Sequence, residues 1–221
     1  MVSLATVQPH VSRGFAKVAA ALGVACAWYR PTGAMNPLAS ANLLGPLQVL
    51  FDTAANLRLT APRQRDKPEA WFGAFDPTGV QVGDYLVSPT PEIFFVAALD
   101  AVRPARLVLC NRTIDIRAPG TKAGYGALPG YGGDDQAAET SMALQWPCAM
   151  IAGSKSKMVN GDPKLPGDVG LPTQVVLWPA IPGITVRNDM ILLDDLAQRH
   201  VLSQVELSSL GYEAVAVLET A

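Results

Sequence analysis

Hydrophobic residues recur at two different spacings along this chain of 221 residues. Near the N-terminus they follow a helical period, at Val11, Phe15, Val18, Ala19 and Leu22. Positions i, i+4, i+7, i+8 and i+11 share one face of a helix, and Gly23 is a suitable stop. The pattern predicts an amphipathic helix over residues 8–23, whose apolar face packs on the rest of the chain or on a neighbouring molecule.

Beyond this helix the apolar residues fall into short runs that are typical of β-strands. In the clearest run, residues 211–219, Tyr212, Ala214, Ala216 and Leu218 alternate with a second set, which places them on one face of a strand. Composition predicts further strands at 48–52, 57–60, 84–87, 93–98, 106–110, 113–117, 146–153, 173–179, 188–195 and 199–207.

Glycine, proline and charged residues mark the predicted connections. The Asn111-Arg112 pair is expected to form a tight turn between two strands. Residues 31–46 contain three prolines and are predicted to be a loop, and the charged run 61–70 is predicted to be an exposed loop. Residues 118–145 are dense in glycine and proline and are expected to form a long loop or a linker.

Part of the strand pattern occurs twice. The run VGDYLVSPTPEIFFVAAL at residues 82–99 aligns with the C-terminal part of the chain at a fixed offset of 105 residues. Asp84 then matches Asp189, and Phe95 matches His200. A duplicated β-module and a chance match of short apolar strands are both consistent with this alignment.

The predicted fold class is mainly β, with one or two small antiparallel β-barrel or sandwich modules in tandem after the N-terminal amphipathic helix. The predicted domains are a helix and arm at 1–30, a first β-module at 31–118, a Gly/Pro-rich loop or linker at 119–145 and a second β-module at 146–221.

Charge and hydropathy narrow the classes of partner. The net charge is −2 without a basic run, so sequence-specific binding of nucleic acid is not expected. No apolar stretch reaches the roughly 18 residues of a membrane span. Only 16% of the residues are charged, against an average of about 25%. A surface covered by partner molecules and a simple bias towards alanine and proline both explain this value.

The reactive residue types form no recognisable catalytic or metal-binding motif. Cys26, Cys110 and Cys148 lie far apart in apolar runs and are predicted to be buried free thiols. His10 is expected at an exposed helix start, and His200 is expected to pack within a strand. No catalytic, cofactor-binding or metal-binding residue is therefore assigned, and no cofactor is expected.

Three weaker patterns in the sequence suit ordinary structural roles better than catalytic or binding roles. The glycine-rich run 120–133 lacks the spacing of a phosphate-binding loop. Ser154 and Lys157 match the bare S-x-x-K spacing of an acyl-transfer serine but lack its companion motifs, which favours a polar loop. The pairs Asp134-Asp135 and Asp194-Asp195 are predicted to stabilise turns.

Several aromatic residues stand next to predicted turns or strand ends, where core packing and subunit contacts both suit them. They are Trp28, Tyr29, Trp71, Phe72, Trp146 and Trp178.

Three segments of the chain are informative when taken together. The first is the run RGFAKVAAALGVACAWYRPTGAMNPL, in which a predicted helix precedes a YRP motif. The second comprises GDYLV and FFVAALDAVRPARLVLCNRTIDI, and the third is the closing DDLAQRHVLSQVELSSLGYEAVAVLE. All three resemble small structural proteins encoded in the morphogenesis clusters of tailed bacteriophages. The resemblance implies a component of the virion and carries no active-site residues with it.

These observations lead to the expectation of a non-enzymatic virion protein, made in the host cytoplasm and present as a multi-copy ring in the neck, tail or baseplate. Its expected partners are other copies of itself and neighbouring virion proteins such as portal, connector, tail-tube, sheath or baseplate components. The alternative is a binding module on a β-barrel scaffold, attached to a host glycan or a capsid surface. Tyr125 and Tyr131 are the candidate sugar-stacking residues of that alternative.

Overall fold

The computed structural model describes residues 4–53, 70–120, 139–152 and 173–219, and these residues form one α-helix and two closed antiparallel β-barrels in tandem. The fold class is therefore mainly β, with tandem barrels behind an N-terminal helix, as the sequence predicted. Several predicted features lie outside the described residues: the strand at 57–60, most of the loops at 61–70 and 118–145, and Tyr125, Tyr131, Asp134-Asp135, Ser154 and Lys157.

Helix α1 spans Leu4–Leu22 and packs on the first barrel through one edge of its apolar face. Ala19 is fully buried and Phe15 is half-buried. The helix ends where predicted, since Gly23 donates its N–H to the carbonyl of Ala19 at 2.8 Å. A Cβ on Gly23 would meet that carbonyl oxygen and the backbone of Val49 at less than 3 Å, so only glycine fits this junction.

Each barrel contains six strands. Those of the first barrel are β1 (Val24–Tyr29), β2 (Leu43–Asp52), β3 (Ala70–Ala74), β4 (Tyr85–Val87), β5 (Ile93–Ala98) and β6 (Ala105–Cys110). Those of the second are β7 (Arg112–Ala118), β8 (Thr140–Ala152), β9 (Thr173–Trp178), β10 (Ile191–Asp194), β11 (Arg199–Ser208) and β12 (Gly211–Leu218).

The two barrels have the same topology. Around the first barrel the strand order is β1-β2-β3-β6-β5-β4, and around the second it is β7-β8-β9-β12-β11-β10. In both, three hairpin-connected strands are followed by a fourth that returns beside the first, which is a Greek-key connection. Closure of the sheet leaves neither barrel with an open edge strand.

The strand registers also match, and they correct the alignment obtained from the sequence. Gly83 donates its N–H to Val96, as Asp189 does to Leu202. The pairing of Leu86 with Phe94 recurs as Leu192 with His200. Asp189 thus matches Gly83, and His200 matches Phe94, so the offset for these strands is 106 residues.

The predicted matches of Asp84 with Asp189 and of Phe95 with His200 are therefore wrong by one residue. A shift of one residue exchanges the two faces of a strand, and short apolar strands contain too few polar markers to exclude it. The structural match has Gly83 and Asp189 both in the left-handed region, with φ of 93° and 67°. Ser88 and Asp194 also match, because each side chain accepts the N–H of the fourth residue after it.

The boundary between the barrels lies at Asn111 and not within the predicted linker at 119–145. The strand β7, which was assigned to the first module, begins the second barrel, and β1 belongs to the first barrel and not to an arm. The turn predicted at Asn111-Arg112 does not form. Instead, the Asn111 side chain accepts a hydrogen bond from the N–H of Met150 at 2.8 Å and donates one to its carbonyl at 2.9 Å. These two bonds hold the chain against β8.

The interiors of both barrels are filled by side chains. Among the described residues, nine buried ones form the core of the first: Cys26, Val49, Phe75, Val80, Leu86, Phe94, Val96, Ala105 and Leu107. A larger cluster fills the second and extends to the outer face of β4 and β5, where it includes Tyr85, Phe95 and Ala97. The barrels are therefore joined by continuous apolar packing.

Tyr85 and Trp146 are central to this junction. Their rings meet edge to face at 6.1 Å, and the Tyr85 hydroxyl donates to the carbonyl of Pro147 at 2.8 Å. Trp146 donates its indole N–H to the carbonyl of Ala34 at 2.6 Å, so the loop after β1 packs against the second barrel.

Gly211, at the start of β12, occupies a position that excludes other residues. Its φ is 110°, and a Cβ there would lie 2.5 Å from the carbonyl oxygen of Trp178. We expect Gly211→Ala to lower the free energy of unfolding by about 2–3 kcal/mol through backbone strain and this clash. Chemical denaturation measures the loss. Gly183→Ala is the matched control, because φ is 76° there but no atom lies near the added methyl group; an equal loss in both variants would contradict the clash.

Candidate functional site

The exposed part of α1 carries an apolar strip that the described part of the chain does not cover. Val7, Val18 and Leu22 are 36%, 38% and 62% exposed, and Val24 at the start of β1 is 44% exposed. At 100° per residue, Val7 and Val18 differ by about 20° around the helix, and Leu22 lies about 40° further. We call these four residues the helix strip.

Two residues of the helix strip, Val18 and Leu22, belong to the apolar face predicted from the sequence. Val11, Phe15 and Ala19 are wholly or partly buried, whereas Val18 and Leu22 point away from the barrel. A helix that only covers its own barrel needs an apolar stripe no wider than the contact. The apolar face of α1 is wider than its contact with the described part of the barrel.

A second uncharged surface lies along the β1–β2 hairpin. Residues 31–51 contain no charged side chain. Met35, Leu43 and Leu44 are 60%, 46% and 51% exposed, and the neighbouring outward positions of β2 include Pro46 and Gln48. We call residues Met35, Leu43 and Leu44, together with Pro46, the hairpin surface.

The helix strip and the hairpin surface lie at opposite ends of β1. Val24 begins this strand, and Leu43 pairs with Tyr29 at its end, which is about 17 Å away at 3.3 Å per residue. The molecule therefore presents two different uncharged surfaces.

The single charged side chain between Val24 and Phe51 is engaged inside the subunit. Arg30 donates from Nε and Nη2 to the two carboxylate oxygens of Asp84 at 2.8 and 2.7 Å. Asp84 is buried and also accepts from the indole N–H of Trp28 and the backbone N–H of Gln81, both at 2.8 Å. The carboxylate holds β1 to the turn before β4, and it leaves the hairpin surface without a free charge.

This role of Asp84 was missed by the sequence analysis, which treated it as a residue at the entry of a strand. The arginine and the tryptophan that it binds lie 54 and 56 residues earlier in the chain. No local spacing links them, because the contact arises from the pairing of β1 with β4.

A second buried charge cluster was also missed. Glu139, just before β8, is buried and accepts from Arg199 at 2.6 Å and from Arg117 at 3.5 Å. Arg199 also contacts Glu219, after β12. These side chains join four segments of the second barrel. Glu139 had no distinguishing pattern in the sequence.

Replacing Glu139 by alanine is expected to lower the free energy of unfolding by about 2 kcal/mol, because two arginines lose their shared partner. Thermal denaturation at low ionic strength measures this loss. Asp195→Ala is the matched control, since Asp195 pairs with Arg112 at the surface, where the bond contributes less than about 1 kcal/mol. A Glu139→Ala loss no larger than that of the control would contradict a structural role for the cluster.

The three cysteines are free, and burial is complete for Cys26 and Cys148 and partial for Cys110, in agreement with the sequence prediction. Burial raises the pKa of the Cys26 thiol to about 11 and raises the pKa of Cys148 well above its usual value. A thiol is nucleophilic as its thiolate, so burial favours the unreactive, protonated form of these residues.

The remaining predicted residues occupy structural positions. Asp194 caps its turn by accepting the N–H groups of Leu196 and Gln198 at 3.0 and 2.7 Å, as predicted for the Asp194-Asp195 pair. His10 is exposed on α1, and His200 is fully buried in the second barrel. Trp146 and Trp178 are fully buried core residues.

The described residues contain neither a cluster of metal-ligating side chains nor a helix that could span a membrane. No group of three or more histidine, cysteine, aspartate or glutamate side chains there is arranged to hold a metal ion. The one helix of that part of the chain is not long and apolar enough to cross a membrane.

Comparison with known proteins does not assign this chain to a family. A scan against models of protein families, a search of curated proteins and a search of solved structures each found no match.

Proposed function

We propose that this protein is a non-enzymatic structural subunit of a tailed-phage particle, present as a multi-copy ring in the neck, tail or baseplate. The observation that carries the proposal is the helix strip: an apolar face of α1 that packs only in part on its own barrel. The resemblance of the chain to phage morphogenesis proteins is the reason for proposing a phage particle as the assembly.

The construction of the subunit supports a role in assembly. Both barrels have filled interiors, and the Tyr85–Trp146 junction joins them. A subunit joined in this way presents its surfaces at fixed relative positions, and a ring needs fixed surfaces because small errors of angle prevent closure.

The two uncharged surfaces support a ring in preference to a simple dimer. A head-to-tail contact uses different patches on the two neighbours, and it closes into a ring when the rotation allows. The helix strip of one subunit facing the hairpin surface of the next is such a contact. Apolar burial then provides the association energy, at about 25 cal/mol for each Å² of apolar surface removed from water.

Replacement of Val18 and Leu22 by glutamate tests this contact. We expect the wild-type protein to form a closed oligomer and the double variant to remain a monomer, because association would bury two unpaired carboxylates. Light scattering coupled to size-exclusion chromatography measures the masses. Circular dichroism checks that the variant keeps its helix, which glutamate tolerates well.

Leu196→Glu provides the matched control. Leu196 is 57% exposed in the turn after β10, outside both surfaces, so this variant should assemble like the wild type. A wild-type protein that stays monomeric over the accessible concentration range would contradict the proposal. An equal loss of assembly in the control would contradict the assignment of the helix strip.

A further inference from the structure

His200 is an unusual residue for the interior of a small barrel. Its side chain is 0% exposed, and neither ring nitrogen has a hydrogen-bond partner. Nε2 lies 3.6 Å from Oδ2 of Asp194, which is too long for a hydrogen bond, and that oxygen is also without a partner. Buried polar atoms in folded proteins are nearly always bonded, so this arrangement calls for a physical explanation.

The first barrel shows what the same position holds when it is apolar. Phe94 occupies the matching place, fully buried and stacked on Phe51 at 4.4 Å. Likewise, the position of Asp194 is taken by Ser88, which caps the same turn without a charge. At these two matching sites, the second barrel therefore has an imidazole and a carboxylate where the first barrel has a phenyl ring and a hydroxyl group.

Charged groups act on His200 from two other strands. Asp194 at the end of β10 favours the protonated imidazole, and Arg112 on β7 disfavours it. Arg112 is itself paired with Asp195 at 3.0 Å. From β8, Cys148 contributes a buried thiol whose pKa is raised by burial. The strands β9 and β12 contribute the indole of Trp178 and the phenol of Tyr212 to the surrounding cluster.

We propose that the second barrel is the acid-sensitive half of this molecule and that protonation of His200 opens it while the first barrel stays closed. An imidazolium in this position would face only Oδ2 of Asp194, at 3.6 Å, which is too long for a hydrogen bond. The other oxygen, Oδ1, is held by the backbone N–H groups of the Asp194 turn. Opening of the β10–β12 region gives the charge access to water.

The direction of the pH dependence follows from the same contacts. Burial lowers the pKa of His200 below its usual value, and this effect exceeds the opposing one of Asp194. The unfolded chain therefore binds a proton on this residue at a higher pH than the folded chain does. Stability of the second barrel is full above the unfolded pKa of about 6.5, is lost as the pH falls below it, and levels off below the folded pKa.

Hydrogen exchange at pH 7.5 and pH 5.0 tests the proposal, with rates corrected for the intrinsic effect of pH. Protection of the β10–β12 amides should fall as the pH drops below the unfolded pKa of His200, by up to about tenfold for each pH unit until the folded pKa is reached. Protection of the β4–β6 amides, which form the matching part of the first barrel, should change by less than about threefold. Equal changes in the two barrels would overturn the proposal.

Two variants assign the effect to His200. In His200→Phe, which carries the residue of the matching position, and in His200→Leu, which is smaller, the acid-dependent loss of protection should disappear. If it persists in a folded variant, His200 is not the trigger.

A direct titration requires no substitution in the core. In the His10→Ala variant, His200 is the only imidazole of the chain, so its NMR signals can be followed without ambiguity. The pKa that they report in the folded state should lie below the usual histidine value of about 6.5. A pKa above that value, with undiminished barrel stability at acid pH, would overturn the proposal by showing that Asp194 stabilises the charge.

Discussion

Asp84→Ala is expected to destabilise the first barrel by about 3–5 kcal/mol, the loss that follows removal of one partner from a buried ion pair. The variant leaves the guanidinium of Arg30 without its carboxylate and deprives Trp28 and Gln81 of their acceptor. The side chain of Asp84 is 1% exposed, so water cannot replace it without local opening. Urea denaturation measures the free energy of unfolding.

Asp100→Ala is the matched control for this prediction. Asp100 is exposed and accepts one bond, from the N–H of Val102 at 2.9 Å, so its loss should cost less than about 1 kcal/mol. A similar effect of the two substitutions would contradict a major contribution of Asp84 to stability.

Loss of the carboxylate also frees Arg30, which places an unpaired charge beside the hairpin surface and should weaken assembly.

Trp146→Ala is expected to cost about 3–5 kcal/mol and to separate the unfolding of the two barrels. The indole is fully buried, packs on Tyr85 and donates to the carbonyl of Ala34. Its removal creates a large cavity at the place where the barrels meet. We expect calorimetry to show one transition for the wild type and two for the variant.

Tyr85→Phe distinguishes the loss of packing from the loss of a single bond at the junction. It retains the ring and removes only the hydroxyl that donates to Pro147, so a cost of about 1 kcal/mol with one remaining transition is expected. A single transition in Trp146→Ala as well would show that the barrels are coupled mainly through other contacts.

The secondary structure was predicted well from the sequence where buried and exposed positions alternate strictly along a strand. In β12, Tyr212, Ala214 and Ala216 are buried and Glu213 is exposed, as the period of two predicted. Prediction was poorer where strands depart from that pattern. Strand β8 begins at Thr140 inside a predicted loop and includes Pro147, and a proline is unusual within a strand because it cannot donate to the ladder.

The tandem organisation was visible in the sequence, but its register was not. The offset of 105 residues brought together aspartates that are not structural equivalents, because Asp189 takes the left-handed position of Gly83. Aspartate tolerates that conformation better than most residues do, and a comparison of residue types does not detect this equivalence. The identification of His200 as the counterpart of Phe94 depended on the hydrogen-bonded register of the strands.

The candidate assembly surface was partly predictable. Helical periodicity identified the apolar face of α1, including Val18 and Leu22. How much of that face the first barrel covers depends on where α1 rests on the barrel, and that placement arises from contacts with β2 and β3. The Asp84 and Glu139 clusters depend in the same way on residues that are distant in sequence, so no local pattern predicted them.

The most direct measurement of the proposed function is quantitative mass spectrometry of tailed particles purified from cells that produce this chain. We predict that the protein is present in mature particles in a fixed number of copies greater than one, and that particles from the Val18→Glu, Leu22→Glu double variant lack it. Its absence from mature wild-type particles would contradict the account.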